Sequence, residues 1–231
     1  MPYHHGVQEF YSYDYGSFTR WIMAQKFKNA PHREPIQLVY DKNEFIIAVH
    51  IRVGDVTPTP ESYFITVLSQ ITSYLKDIPY RIHVFIDNQG PEEWPNLVKA
   101  HEDRIIFHNQ MSPFDSFYHL TQADIEVMSA SGFSQMSAIL GTKQLSFSPP
   151  SREAFPLKFC PPAAVCCDKE GNFDADGVIR LQWLKTRWLA SKQLKDEISR
   201  LESLIRRVDG ELADYASKLD VERISRLRLN R

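Results

Sequence analysis

Between Phe45 and Phe147 the chain alternates two patterns of apolar residues. Short apolar, β-branched runs occupy Phe45 onward, Arg81–Asp87, Arg104–His108, Ile125–Met128 and Lys143–Phe147. Runs of this length, bounded by turn residues, fit strands buried on both faces of a parallel sheet. Between them apolar residues return at three- and four-residue steps, as in Tyr63, Phe64, Val67, Leu68, Ile71 and Leu75. That spacing predicts helices over Glu61–Leu75, about Glu92–His101, Pro113 to about Gln122 with Ser112 as N-cap, and Phe133 to about Leu140. Strand and helix in alternation predict an α/β fold: a Rossmann-like, mostly parallel sheet with helices on both faces and right-handed crossovers.

This domain is expected over residues 36–177. Residues 1–35 form an aromatic segment with a helix from about Ser17 to Lys28, where Phe18, Trp21 and Ile22 share a face before Pro31 and Pro35 break the pattern. Ile36–Tyr40 is read as a short extended piece. Pro149, Pro150, Pro156, Pro161 and Pro162 predict a long irregular stretch over the sheet edge. From 178 to 231 the character changes. Leu194, Ile198, Leu201, Ile205, Val208, Leu212, Tyr215 and Leu219 alternate four and three residues apart, which predicts one long helix with a heptad seam. Such a seam makes a homo-oligomer through residues 184–219 the expected partner arrangement, and Gly210 weakens the helix by only about 1 kcal/mol.

Composition narrows the function classes. The 231 residues are 43% apolar and 24% charged with a formal net charge of -2, which gives no whole-chain electrostatic case for nucleic acid or an acidic membrane surface. Cys160, Cys166 and Cys167 crowd one proline-rich segment; their odd number and spacing fit buried or free thiols rather than a disulfide framework or a zinc site. Asp168, Asn172, Asp174 and Asp176 lack the spacing of a calcium loop. No metal site is expected. No apolar run approaches the length of a membrane span and the first residues do not read as a leader, so the expectation is a cytoplasmic chain or a fragment of a Golgi or endoplasmic-reticulum enzyme.

Candidate chemistry gathers in two loops. The first core strand ends in His50-Ile-Arg52-Val-Gly54-Asp55, and the fourth is followed by Ser129-Ala-Ser131-Gly132-Phe133-Ser134. Strand ends at the carboxyl edge of an α/β sheet are where ligands bind. Small hydroxyl residues and a glycine ahead of a helix aim backbone N–H groups and the positive end of the helix dipole at an anion, and an arginine supplies a planar donor fork that keeps its charge. Asp115 adds a carboxylate able to accept from the N1–H and exocyclic amine of a guanine. Neither a G-x-G-x-x-G after an early strand nor a G-x-x-x-x-G-K-[ST] is present, which argues against a dinucleotide dehydrogenase or a P-loop phosphotransferase.

Val49-His-Ile-Arg-Val-Gly-Asp55 resembles the H-x-R-x-G-D peptide of the fucosyltransferase superfamily that includes the α1,2-, α1,6- and protein O-fucosyltransferases. His119-Leu-Thr-Gln-Ala-Asp124 through Ser131-Gly-Phe-Ser134 resembles a second shared peptide, in the same order. The resemblance spans about Phe45 to Pro149. It implies the donor-binding half of a GT-B glycosyltransferase that is metal-independent, inverts the anomeric centre and transfers sugar from GDP-fucose to a glycan or protein acceptor. It also implies that Arg52 binds the diphosphate and is catalytic, that His50 and Asp115 hold the nucleotide, that Gly54 and Asp55 shape the loop or touch the base, and that Ser131, Gly132, Phe133 and Ser134 bind phosphate. No cofactor is implied beyond that donor substrate. Val53 and Gly132 stand where several relatives have an arginine and a serine, and 44 residues precede Phe45. These features favour an alternative, a catalytically inactive nucleotide-sugar fold that acts through its coiled-coil helix; a transferase for another nucleotide sugar is the third reading.

Overall fold

The computed structural model describes residues 36–54, 58–141, 145–150 and 164–229, with side chains as far as Tyr215. The expected helix at Ser17–Lys28, Cys160 and Asp55 lie outside the described residues. At the centre stands β1 (Phe45–Ile51), buried along its whole length. It is followed by α1 (Glu61–Leu75), β2 (Tyr80–Ile86), a 3-10 turn at Pro91–Glu93, α2 (Pro95–His101), β3 (Ile105–His108), α3 (Pro113–Gln122), β4 (Ile125–Val127), α4 (Gly132–Leu140), β5 (Leu145–Ser148), β6 (Ala164–Cys166) and α5 (Ala175–Leu229). The six strands form one sheet in the order β3-β2-β1-β4-β5-β6, and every neighbouring pair is parallel. This is the doubly wound order, in which the chain builds outward from β1 and then returns to add β4 on its other side. The expected α/β architecture is the one observed.

Register gives the sheet two unlike faces. Laterally paired residues in a parallel sheet point the same way, so Phe45, Ile47, Val49 and Ile51 share a face with Ile82, Val84, Ile86, Ile125, Val127, Phe147 and Val165. That face is apolar and receives α1, whose Tyr63 hydroxyl donates to the Phe147 carbonyl. The first turns of α5 lie there too, with Gly177 set closely against Val165 and Phe173, and Leu181 and Leu184 buried. The opposite face carries Ile46, Ala48 and Phe85 against Leu120 and Ala123 of the α3 region. Around them it buries His50, His83, Glu126, Ser146 and Ser148. Polar groups in such a layer must be bonded, and most have named partners: Glu126 accepts from the Ser137 hydroxyl of α4, and the Tyr40 hydroxyl donates to the His119 carbonyl at 2.9 Å. The Val39 amide donates to His119 Nε2 at 3.2 Å, so Ile36–Tyr40 is an irregular segment tied to α3 rather than a strand.

Three local details depart from the sequence reading. The helix expected from Glu92 is split, because Pro95 disfavours a helical Trp94, which takes φ -128 and ψ 51; a 3-10 turn precedes Trp94, and α2 starts with Pro95 in its first turn. The proline-rich region ends in a sixth strand, Ala164–Cys166, too short to show a period. Cys166 is disulfide-bonded, against the expectation of unpaired thiols; among the described residues Cys167 is a free, buried thiol, and burial pushes its pKa up to about 12. Pairing depends on spatial approach, which crowding along the sequence does not reveal.

Compact units divide between Leu184 and Lys185. The second consists of the remainder of α5, whose apolar residues from Leu194 to Tyr215 are exposed. No helix among the described residues is long and apolar enough to cross a membrane.

Candidate functional site

β1 and β4 are the neighbours from which the chain departs in opposite senses, β1 toward α1 on the apolar face and β4 toward α4 on the polar one. The crevice at their carboxyl ends is the switch point of the sheet, where such folds place ligands. Both sequence-predicted loops meet there. Arg52 lies one residue beyond β1 and is half-buried; Gly54 follows in an exposed turn at φ +98, a conformation that favours glycine.

On the β4 side the loop closes on itself and then caps a helix. The Ser131 amide donates to the Ser129 carbonyl at 2.8 Å, and the Ser131 hydroxyl accepts from the Phe133 amide at 3.2 Å as the N-cap of α4. Gly132, the first residue of that helix, is exposed and has nothing within 4 Å of where a Cβ would stand. The positive end of α4 therefore opens at the crevice beside the loop that carries Arg52.

Two contacts lock the loops together. Inside, His50 Nδ1 stands 2.5 Å from Ser134 Oγ and 3.2 Å from Ser129 Oγ, while Phe133 lies on the imidazole with centroids 4.8 Å apart and is itself met edge-on by Phe117 of α3. Nearer the edge, Thr59 Oγ1 accepts from the Ala130 amide at 3.1 Å. Burial, and then the Arg52 charge, lower the pKa of His50 to about 3. A neutral, 8% exposed imidazole holds the first turn of α4 and contributes no charge to an anion at neutral pH.

The predicted residues thus separate by position. Arg52, Gly54, Ser131, Gly132 and Phe133 lie at the crevice edge. Ser134 is fully buried and its hydroxyl is spent on His50, so the pair sits beneath the crevice. Asp115 is in the first turn of α3, where the Ser112 hydroxyl donates to its carboxylate at 2.6 Å and accepts from its amide. Thr59 is not among the sequence-predicted residues, and Ser129 enters the sequence reading only as part of its loop, with no role of its own. A threonine held between Pro58 and Pro60 is the available sign for the first, since prolines stiffen the exit that aims it.

A second imidazole cluster lies on the same face, deeper along the sheet. His83 Nδ1 is 2.9 Å from His108 Nε2, and the rings stack at 5.2 Å. Burial first, and then neighbouring positive groups, lower His83 to about 3 and His108 to about 4. Among the described residues no group of three or more His, Cys, Asp or Glu side chains converges in a manner that could hold a metal ion. The Asp168 carboxylate is used within its own turn, accepting from the Glu170 and Asn172 amides.

No family model and no curated protein matches the chain. Solved structures similar to it include E. coli ADP-heptose LPS heptosyltransferase II, at 13% identity and a TM-score of 0.45, covering 75% of this chain and 52% of that one. E. coli heptosyltransferase WaaC with ADP is similar at 18% identity and a TM-score of 0.44, covering 72% of this chain and 49% of that one. An Arabidopsis thaliana FUT1 mutant in complex with GDP is similar at 16% identity and a TM-score of 0.35, covering 59% and 34%. The chain spans about half the length of the heptosyltransferases to which it is similar.

Proposed function

We propose that the chain is the donor-binding half of a GT-B glycosyltransferase and that the β1–β4 crevice takes a nucleoside-diphosphate sugar. The observation that supports this reading is the convergence, at one switch point, of Arg52 and the N-terminus of α4, two cationic elements of the kind a diphosphate needs. Arg52 binds the diphosphate and stabilises the charge that develops on the departing nucleotide. Ser131, Gly132 and Phe133 supply donors at the helix end, and His50 with Ser134 keeps that end in place. GDP-fucose is the donor that the H-x-R-x-G-D resemblance favours, with Asp115 accepting from the guanine, Asp55 orienting the loop, and a glycan or protein as acceptor. Calorimetry with GDP, GDP-fucose and ADP on the wild type and Arg52→Ala tests it. GDP and GDP-fucose should bind at least about tenfold tighter than ADP, and Arg52→Ala should lose at least about tenfold for each. Absence of binding by all three, or equal binding by the variant, overturns the site; preference for ADP overturns the fucosyl donor alone.

A second reading, an inactive fold that works through α5, is favoured by the exposed apolar seam of that helix. Transfer or donor hydrolysis above background would exclude it.

A further inference from the structure

The unit that begins at Lys185 leaves an apolar face of α5 uncovered. Leu194, Ile198, Leu201, Ile205, Val208, Leu212 and Tyr215 are each 43–64% exposed. Lettered as heptads, Ile198, Ile205 and Leu212 take a, and Leu194, Leu201, Val208 and Tyr215 take d. Isoleucine at a with leucine at d suits a two-stranded pair. Gly210 falls at f, away from the seam.

The residues beside the seam select the occupant. Between Leu194 and Tyr215 the e and g positions hold Glu197, Glu202, Asp209 and Glu211 against one cation, Lys195, with Lys218 the next cation at g, whereas Arg200, Arg206 and Arg207 fall at b and c. Acids therefore border the apolar stripe and arginines lie behind it. In a parallel pair the g residue of one helix meets the e residue of the next heptad on the other, so a second copy would bring Glu197 against Glu202. An antiparallel pair centred on Ile205 and Val208 would bring Glu202 against Asp209. Like charges at these positions select against a partner, and opposite ones select for it.

We propose that α5 docks a basic-flanked heptad helix of a different protein, apolar at a and d and carrying Lys or Arg at e and g. This stands on the seam and its borders alone and is independent of the donor site.

The test uses the full chain and two synthetic peptides of about four heptads, both Ile at a and Leu at d, one with Lys and one with Glu at every e and g position. Fluorescence anisotropy should give the Lys peptide at least about tenfold tighter binding, the difference narrowing as salt is raised. The chain alone should sediment as a monomer at the same concentration. A fourfold variant, E197K/E202K/D209K/E211K, should reverse the preference, and Ile205→Asp should abolish binding of both peptides while leaving thermal unfolding of the α/β unit in place. Equal affinity for the peptides, preference for the Glu peptide, binding of neither, persistence of binding in Ile205→Asp, or a stable dimer of the chain alone would overturn the proposal.

Discussion

His50 and Ser134 are 84 residues apart in the sequence, and their side chains meet at 2.5 Å inside the core. The contact joins the end of β1 to the first turn of α4 across the switch point. Ser134→Ala strips the imidazole of its nearest partner and should cost about 1–3 kcal/mol in urea unfolding. The Ser129 hydroxyl, 3.2 Å from the same nitrogen, compensates in part. The double variant Ser129→Ala/Ser134→Ala should therefore cost more than the sum of the singles; simple additivity would show that the two hydroxyls do not share the ring.

Thr59→Val keeps the shape of the side chain and removes the acceptor for the Ala130 amide. Stability should fall by about 1 kcal/mol. Nucleotide affinity, on the proposed function, should fall several-fold with Arg52 intact, because the loop that presents α4 is no longer tied to the β1 loop. Unchanged calorimetric affinity would mean that the Thr59 contact serves only the fold.

Two glycines should respond in opposite ways. Gly171 sits at φ +95, and a Cβ there would stand 2.6 Å from the Tyr63 carbonyl oxygen, so Gly171→Ala should cost at least about 2 kcal/mol from left-handed strain and the displacement of α1. Gly132 has open space around it. Gly132→Ala should leave the melting curve within about 0.5 kcal/mol of wild type, and any effect should appear in ligand binding alone. Comparable destabilisation of both variants would contradict this geometry.

Acid should unfold the α/β unit through its histidines. His50, His83 and His108 have folded pKa values of about 3, 3 and 4, below the ordinary 6.5. Well above pH 6.5 all three are neutral in both states and exert no penalty. As pH falls from 6.5 toward 3–4 the unfolded chain takes up protons that the folded chain refuses, so stability drops by up to about 1.4 kcal/mol per pH unit for each of the buried His50 and His83, and by less for the partly exposed, solvent-screened His108. Tryptophan fluorescence followed between pH 7 and 4 should show a cooperative loss, and His83→Phe should move its midpoint to lower pH. An unshifted midpoint would exclude His83 as a source of the sensitivity.

Much of the fold could be read from residue spacing, since a buried parallel strand and a one-sided helix each have a distinct period. Glu61–Leu75 and Pro113–Gln122 were expected with the bounds they have, the second because Ser112 and Pro113 mark a helix start in residue type alone. Ala164–Cys166 escaped because three residues carry no period, and the Cys166 disulfide because bonding depends on approach in space. At the site, the two loops were legible from Arg52, Gly54 and the Ser-Ala-Ser-Gly run. Their linkage was not: the Thr59–Ala130 contact spans 71 residues, and nothing in either residue names the other. The interior position of Ser134 was hidden for a related reason. A hydroxyl in the first turn of a helix can face the crevice or the sheet, and only the packing of Phe133 on His50 decides.

The unequal faces of the sheet imply an unequal tolerance to change. Beneath α1, cohesion is non-directional, so exchanges among Val, Ile and Leu at Ile47, Ile82 or Val127 lose little as long as volume is kept. Beneath α4, cohesion runs through oriented donors and acceptors, and an apolar residue in place of a group such as Glu126 removes the side-chain acceptor for the Ser137 hydroxyl. In a saturation library selected for folding, the two sides of the same strands would therefore diverge, one drifting freely within a hydrophobic alphabet and the other held to single letters. The crevice rests on the side that cannot drift.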